Sequence, residues 1–155
     1  MDQSQAHSAP TAIADETTLL AADRLTVAPD GSDVRVLLRI PERGSMAHFE
    51  LGPKETSVPV RHRTVSEIWY VLRGRGLMWR RLPAGDEGEV ELRTGTCVTI
   101  PVGTDFQFRS LGNEALEVIA VTMPPWPLED AATEAIAATG PWTPTLGPGP
   151  GLATE

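Results

Sequence analysis

Cysteine occurs once and histidine three times in the 155 residues of this chain. One cysteine excludes an intramolecular disulfide framework and a cysteine-rich zinc module. Three histidines set a low ceiling on any histidine-built metal site. Aromatic residues make up only 5% of the chain. Basic residues are outnumbered, 13 Lys and Arg against 21 Asp and Glu, for a formal charge of −8. A chain this acidic repels phosphate backbones, which argues against nucleic-acid binding. No Lys or Arg precedes Arg24, so the basic start of a secretory signal is missing. No run approaches the roughly 18 apolar residues of a membrane span. These absences lead us to expect a soluble, cytoplasmic protein with neither nucleic acid nor membrane as partner.

What the chain does have is turn chemistry. Glycine and proline number 14 each, which disfavours a helical bundle and favours short strands. Apolar runs at 24–28, 34–40, 46–51, 58–62, 68–72, 77–81, 90–92, 97–100, 106–109 and 116–123 are separated by PDGSD, PERGS, LGPKET, RGRG, PAGDEGE, RTG, PVGTD and LGNE. This spacing predicts an all-β sandwich or barrel of antiparallel strands. IWYVL and VIAV are apolar at every position, so their second face also needs cover, from a sheet, a tail or a second subunit. Residues 1–22 read as a polar, flexible arm with a frayed helix at Thr17–Ala22, and 23–127 as the barrel. Residues 128–155 read as an extended Pro/Gly-rich tail with a short helix at Asp130–Ala138.

Two segments carry the chemistry. Gly52–Gly76 contains His62 and Glu67 with four residues between them, and six residues separate Glu67 from Gly74. Gly95–Asn113 contains Gly95, Pro101 and Gly103. Together these resemble the paired motifs of the cupin superfamily, G-x5-H-x-H-x4-E-x6-G and G-x5-P-x-G-x2-H-x3-N. The resemblance is carried by residues 46–127, extends towards Arg24 and leaves the tails out. It implies a double-stranded β-helix, or jelly roll, in which three histidines and one glutamate point inward to hold a metal. Here Val60 stands at the first histidine position, Phe106 at the second-motif histidine and Ser110 at the closing asparagine. Of the four implied ligands only His62 and Glu67 remain. Zinc usually takes three or more protein ligands and non-haem iron a two-His, one-carboxylate triad. No cofactor is therefore expected, and a divalent metal is left as the minor alternative, with His62, Glu67 and His48 as its ligands.

His48 lies in MAHFEL, where apolar parity turns Ala47, Phe49 and Leu51 inward and His48 outward. Cys97 reads as a small core residue. Val60 and His62 share one strand face, opposite Arg61 and Arg63, which places His62 inside. A His–Glu pair in a cavity walled by Val60, Trp69, Phe106 and Phe108 suits acid–base chemistry. Burial raises a carboxyl pKa and a neighbouring carboxylate raises an imidazole pKa. The alternative is a purely structural, hydrogen-bonded pair. Trp126, between prolines, reads as a clip for the exit strand.

Six arginines fall between residues 61 and 81 with Glu67 as the sole acid. They form either solvated strand edges or a positive mouth for an anion. The expected function is a metal-independent catalyst of isomerase, epimerase, cyclase or lyase type, with His62 as base or proton shuttle and Glu67 orienting it or serving as acid, acting on a small organic molecule. Two alternatives stand beside it, a non-catalytic binding or sensor module and a metal-dependent cupin such as a dioxygenase with a non-standard ligand set. A homodimer is expected from the strands apolar on both faces.

Overall fold

The computed structural model of the protein describes residues 15–20, 25–127 and 134–154. Among the described residues twelve strands form in chain order. The first six are β1 (Thr26–Val27), β2 (Asp33–Ile40), β3 (Gly44–Leu51), β4 (Val60–His62), β5 (Ser66–Arg73) and β6 (Arg75–Arg81). They are followed by β7 (Glu87–Arg93), β8 (Cys97–Ile100), β9 (Asp105–Ser110), β10 (Leu116–Met123), β11 (Ala135–Ala137) and β12 (Leu152–Ala153). They make two six-stranded sheets, ordered β1-β2-β3-β10-β5-β8 and β12-β11-β4-β9-β6-β7. This is the barrel of mainly antiparallel strands that the turn spacing predicts, in the jelly-roll form that the motif resemblance implies. No helix among the described residues is long and apolar enough to cross a membrane.

Alternation builds the core. Trp69 and Val71 of β5, Val118 and Ala120 of β10, and Met78, Leu92, Ile100 and Phe108 meet between the sheets with almost no exposure. The turns are fixed where only glycine fits. Gly74 holds φ at 87° between β5 and β6, and a Cβ there would strike the Ala115 carbonyl.

The C-terminal stretch departs from expectation. Ala135–Ala137 of the expected helix is strand β11, paired antiparallel with β4, while residues 130–133 lie outside the described part. From there the chain is tied down rather than loose. Buried Gln107 donates to the Trp142 carbonyl (2.9 Å) and accepts from its N–H (3.1 Å). The Thr56 N–H donates to Thr145 Oγ1 (2.8 Å), and Arg109 lies 4.4 Å over the Trp142 ring. Proline and glycine here fit an extended path with specific docking points, and disorder does not follow from them. In the N-terminal arm, Thr17–Leu20 carry no regular structure, and Ala21–Ala22 lie outside the described residues.

The outer face of the first sheet is apolar. Leu38, Met46, Val121 and Ile68 stand in register across β2, β3, β10 and β5. Ile40, Tyr70, Leu72 and Met123 extend the patch, and seven of these eight side chains are at least 36% exposed. Cys97 is also exposed, on edge strand β8, rather than in the core. Its register partner Tyr70 sits on the outward parity of β5, which places Cys97 on the same outer face.

Candidate functional site

Strand parity brings the inward side chains together. Val60 and His62 of β4 face the barrel, and Val60 pairs with Phe106 of β9. Glu67 and Trp69 come from β5, and all five residues line one cavity of about 220 Å³. Phe108 does not line it. That ring lies deeper, packed edge-on to Trp69 at 4.9 Å, so it supports the wall from behind. Five further lining residues carry no motif: Asp30 from the β1–β2 turn, Ser45 and Phe49 of β3, Thr122 of β10, and Trp126 after the exit strand.

Glu67 is 3% and His62 6% exposed. His62 Nδ1 stands 4.0 Å from Glu67 Oε1, too far for a hydrogen bond, and has no partner among the described residues. The other Glu67 oxygen accepts from Trp69 Nε1–H at 2.7 Å. The imidazole is wedged edge-on between Phe106 at 5.3 Å and Trp126 at 5.0 Å. Trp126 also clips the exit strand, since its N–H donates to Ser45 Oγ at 3.1 Å.

Burial decides the protonation states. It pushes the Glu67 carboxyl up to about 8. The Trp69 hydrogen bond opposes that rise, and the acids Asp30 and Glu134 add to it. Burial pushes the His62 imidazole down to about 4, with Glu134 pulling weakly the other way. The expectation that a neighbouring carboxylate would raise the imidazole is therefore reversed, because desolvation outweighs the coupling. At neutral pH the cavity holds a protonated carboxyl beside an unprotonated imidazole, and the two are not an ion pair.

Two more buried acids frame the pair. Asp30 accepts from the Ser32 N–H (2.9 Å) and hydroxyl (2.5 Å), a turn closed on its own backbone. Burial still raises its pKa. Glu134 accepts from the Thr64 N–H, the Thr64 hydroxyl and the Val65 N–H at 2.7–2.9 Å. It thereby fastens the tail to the loop that leads into Glu67.

His48 faces outward, as parity predicts, on the outer face of the first sheet. It is nonetheless covered, at 1% exposure, with Nε2 3.6 Å from Glu117 and burial lowering its pKa. It cannot join His62 and Glu67. Val60 and Phe106 fill the other ligand positions with apolar surface. Among the described residues no group of three or more His, Cys, Asp or Glu is arranged to hold a metal. The donor set does not fit the metal site that the motif resemblance implies. The six arginines of residues 61–81 do not line the cavity either. Arg61 and Arg81 pair with Asp105 at 2.6 and 2.8 Å, Arg73 with Glu114 and Glu117, and Arg75 with Glu91.

Residues 47–122 match the Cupin domain family. The chain is 30% identical over 110 residues to the uncharacterized protein MJ1618 of Methanocaldococcus jannaschii, covering 67% of this chain and 82% of that protein. Its fold is similar to the capsular polysaccharide assembling protein CapF of Staphylococcus aureus. The TM-score there is 0.58 at 22% identity, over 71% of this chain and 30% of CapF. It is also similar to the oxalate decarboxylase of Bacillus subtilis, a protein with Mn(II) centres. That match has a TM-score of 0.55 at 14% identity, over 60% of this chain and 26% of that one. The chain thus spans less than a third of either structure, and at these identities the likeness establishes the fold alone. Turn glycines, two-sheet topology, motif spacing and family match agree: the chain belongs to the cupin superfamily.

Proposed function

We propose that the protein takes a small organic molecule into the barrel cavity and transforms it by proton transfer, as an isomerase, epimerase, cyclase or lyase. One observation carries this reading. The Glu67 carboxyl and the His62 imidazole, both buried, face the same cavity 4.0 Å apart, and burial favours the uncharged form of each. In the tautomer that carries its hydrogen on Nε2, His62 Nδ1 offers a lone pair to accept a proton, and the Glu67 carboxyl, whose Oε1 is not bonded to Trp69, can give one. The apolar walls exclude water that would level both groups. With the acid usable below about 8 and the base above about 4, kcat/KM should form a plateau between those limits.

The test needs no prior substrate. The protein is incubated in D2O with a mixed library of small metabolites, and mass spectrometry follows deuterium incorporation and product formation. The expected result is a compound that gains deuterium or changes structure with wild type, and loses that change with His62→Ala and Glu67→Gln. Equal conversion by both variants would sink the mechanism. A compound recovered bound but unaltered would favour the second reading, a binding or sensor module using the same cavity. A metal-dependent dioxygenase is disfavoured by the chemistry of the donor set, two ligands where three are needed.

We also propose that the outer face of the first sheet packs against a second copy of this chain. Large exposed apolar patches on a sheet mark interaction surfaces, and the strands of the tail among the described residues pair on the second sheet instead of covering this one.

A further inference from the structure

We infer that the ligand of this cavity is a compact organic cation, an amine or quaternary ammonium, held among the rings of Trp69, Phe106, Trp126 and Phe49 with the carboxyls of Glu67 and Asp30 as its counter-charge. This rests only on the reading of the cavity as a small-molecule site; it adds the charge of the molecule and, for such a ligand, makes Glu67 a counter-ion in place of the acid.

Three observations lead there. The first is the sign of the lining. Two acids and no Lys or Arg line the cavity among the described residues, and a third acid, Glu134, lies close enough to act on both His62 and Glu67. The nearby arginines with acid partners, Arg61, Arg73, Arg75 and Arg81, are held outside it, and Arg80 donates to the Thr99 carbonyl. An anion would find no basic side chain inside to balance its charge.

The second is the hydrogen-bonding inventory. His62 Nδ1 is buried, lines the cavity and has no partner, and a neutral imidazole nitrogen can accept. Glu67 has one oxygen committed to Trp69 and the other uncommitted towards His62. Ser45 and Thr122 share a short hydroxyl–hydroxyl contact on the same lining. His62 Nδ1 and Glu67 Oε1 are thus left without a protein partner on the cavity wall, where the polar end of a ligand can meet them.

The third is the wall. Four aromatic rings surround a space of about 220 Å³, below the roughly 300–1,000 Å³ of drug-sized pockets. Aromatic rings attract cations through their quadrupole, most strongly where water is excluded.

The charge of the ligand then couples to Glu67. In the empty cavity this carboxyl is faced by His62 from β4, by Asp30 from the β1–β2 turn and by Glu134 from the tail, none of which supplies a positive charge at neutral pH. The neighbours from β3 and β10 are the hydroxyls of Ser45 and Thr122. A cation supplies what is missing, so it favours the carboxylate and drives the proton off. Binding should therefore release a proton below about pH 8 and strengthen as pH rises towards that value.

The experiment is a titration calorimetry comparison of three probes of matched shape: choline, its uncharged carbon analogue 3,3-dimethylbutan-1-ol, and the anion 3,3-dimethylbutanoate. With wild type, choline is expected to bind about tenfold or more tighter than the neutral analogue, and the anion not at all. Repeating the choline titration in buffers of different ionisation enthalpy should reveal proton release at pH 7. Glu67→Gln, isosteric and still able to accept from Trp69, should abolish that release and narrow the preference for choline. The neutral alcohol binding as tightly as choline, or the anion binding best, would overturn the inference while leaving the cavity reading intact. No binding of any of the three would overturn it too. Binding that persists unchanged in a Phe106→Arg variant, which puts a cation into the cavity, would show that the probes sit elsewhere and defeat both readings.

Discussion

The buried pair makes a sharp prediction about stability against pH. Glu67 has an ordinary value of 4.5 and a folded value of about 8, so between these limits the folded state holds a proton that the unfolded state lacks. Stability from this group is fully present below pH 4.5 and is lost as pH rises through about 8. His62 has an ordinary value of 6.5 and a folded value of about 4, so here the unfolded state holds the extra proton. Its contribution rises with pH from about 4 and is complete above 6.5. Below 6.5 the two slopes oppose each other. Above it only the Glu67 slope remains, about 1.4 kcal/mol per pH unit. From pH 6.5 to 8 Glu67 alone should cost about 2 kcal/mol, or a melting temperature shift of about 4–8 °C. The assay is urea unfolding of wild type and Glu67→Gln at half-unit steps from pH 5 to 9. Taking the difference between the two proteins removes the contributions of Asp30 and His48, whose shifts are common to both. Glu67→Gln should stay flat where wild type falls, and Trp69→Phe, which removes the hydrogen bond that holds the carboxyl down, should move the fall to higher pH. Parallel curves for wild type and Glu67→Gln would refute the burial argument.

Three other perturbations follow from named contacts. Glu134→Gln removes the charge from three hydrogen bonds to Thr64 and Val65. It should cost about 2 kcal/mol and speed protease cleavage within 134–154, and an unchanged cleavage pattern would mean that the tail is held elsewhere. Val60→His with Phe106→His places two imidazoles on facing strands beside His62 and Glu67; equilibrium dialysis with elemental analysis should then show stoichiometric zinc that wild type does not retain. Light scattering behind size exclusion should give twice the 16.7 kDa chain mass for wild type and the chain mass for Ile68→Lys with Tyr70→Lys. A wild-type monomer would leave the apolar face without its proposed partner.

The barrel was legible in the sequence because its strands are punctuated chemically. All ten apolar runs between residues 24 and 123 correspond to strands, and the Arg61/Arg63 against Val60/His62 parity placed the imidazole inside. The same parity turned His48 outward. Parity is blind to depth, however. Phe106 and Phe108 share a face of β9, yet one lines the cavity and the other lies behind Trp69. The site residues without motif signals, Asp30, Ser45, Thr122 and Trp126, are gathered by sheet order across tens of residues. Asp30 alone had a local clue, the PDGSD turn in which its side chain bonds Ser32. The tail misled for a related reason. Its anchors pair residues 35 to 89 positions apart, while composition reports only that the backbone is extended.

The sign of the His62 shift shows how the missing ligands and the state of the pair are one problem. Val60 and Phe106 each replace an imidazole with hydrocarbon at 1% exposure. That removes donors, and it also removes the polar surface that would have softened the desolvation of what remains. A carboxyl and an imidazole in such a setting have two ways to coexist, as an ion pair in contact or as two uncharged groups. Contact would need about 2.7–2.9 Å for a charge-assisted hydrogen bond, and the 4.0 Å separation forgoes it. At that distance the mutual attraction does not cover the cost of burying two charges, so the proton stays on Glu67. Losing half of the ligand set is therefore what leaves a buried acid beside a buried base. Restoring the imidazoles with Val60→His and Phe106→His should reverse both consequences together: the cavity gains a metal, and Glu67, now facing a cation, returns to a carboxylate. If zinc binds and the fall in stability between pH 6.5 and 8 persists in the loaded protein, the pair is set by something other than the dryness of its walls.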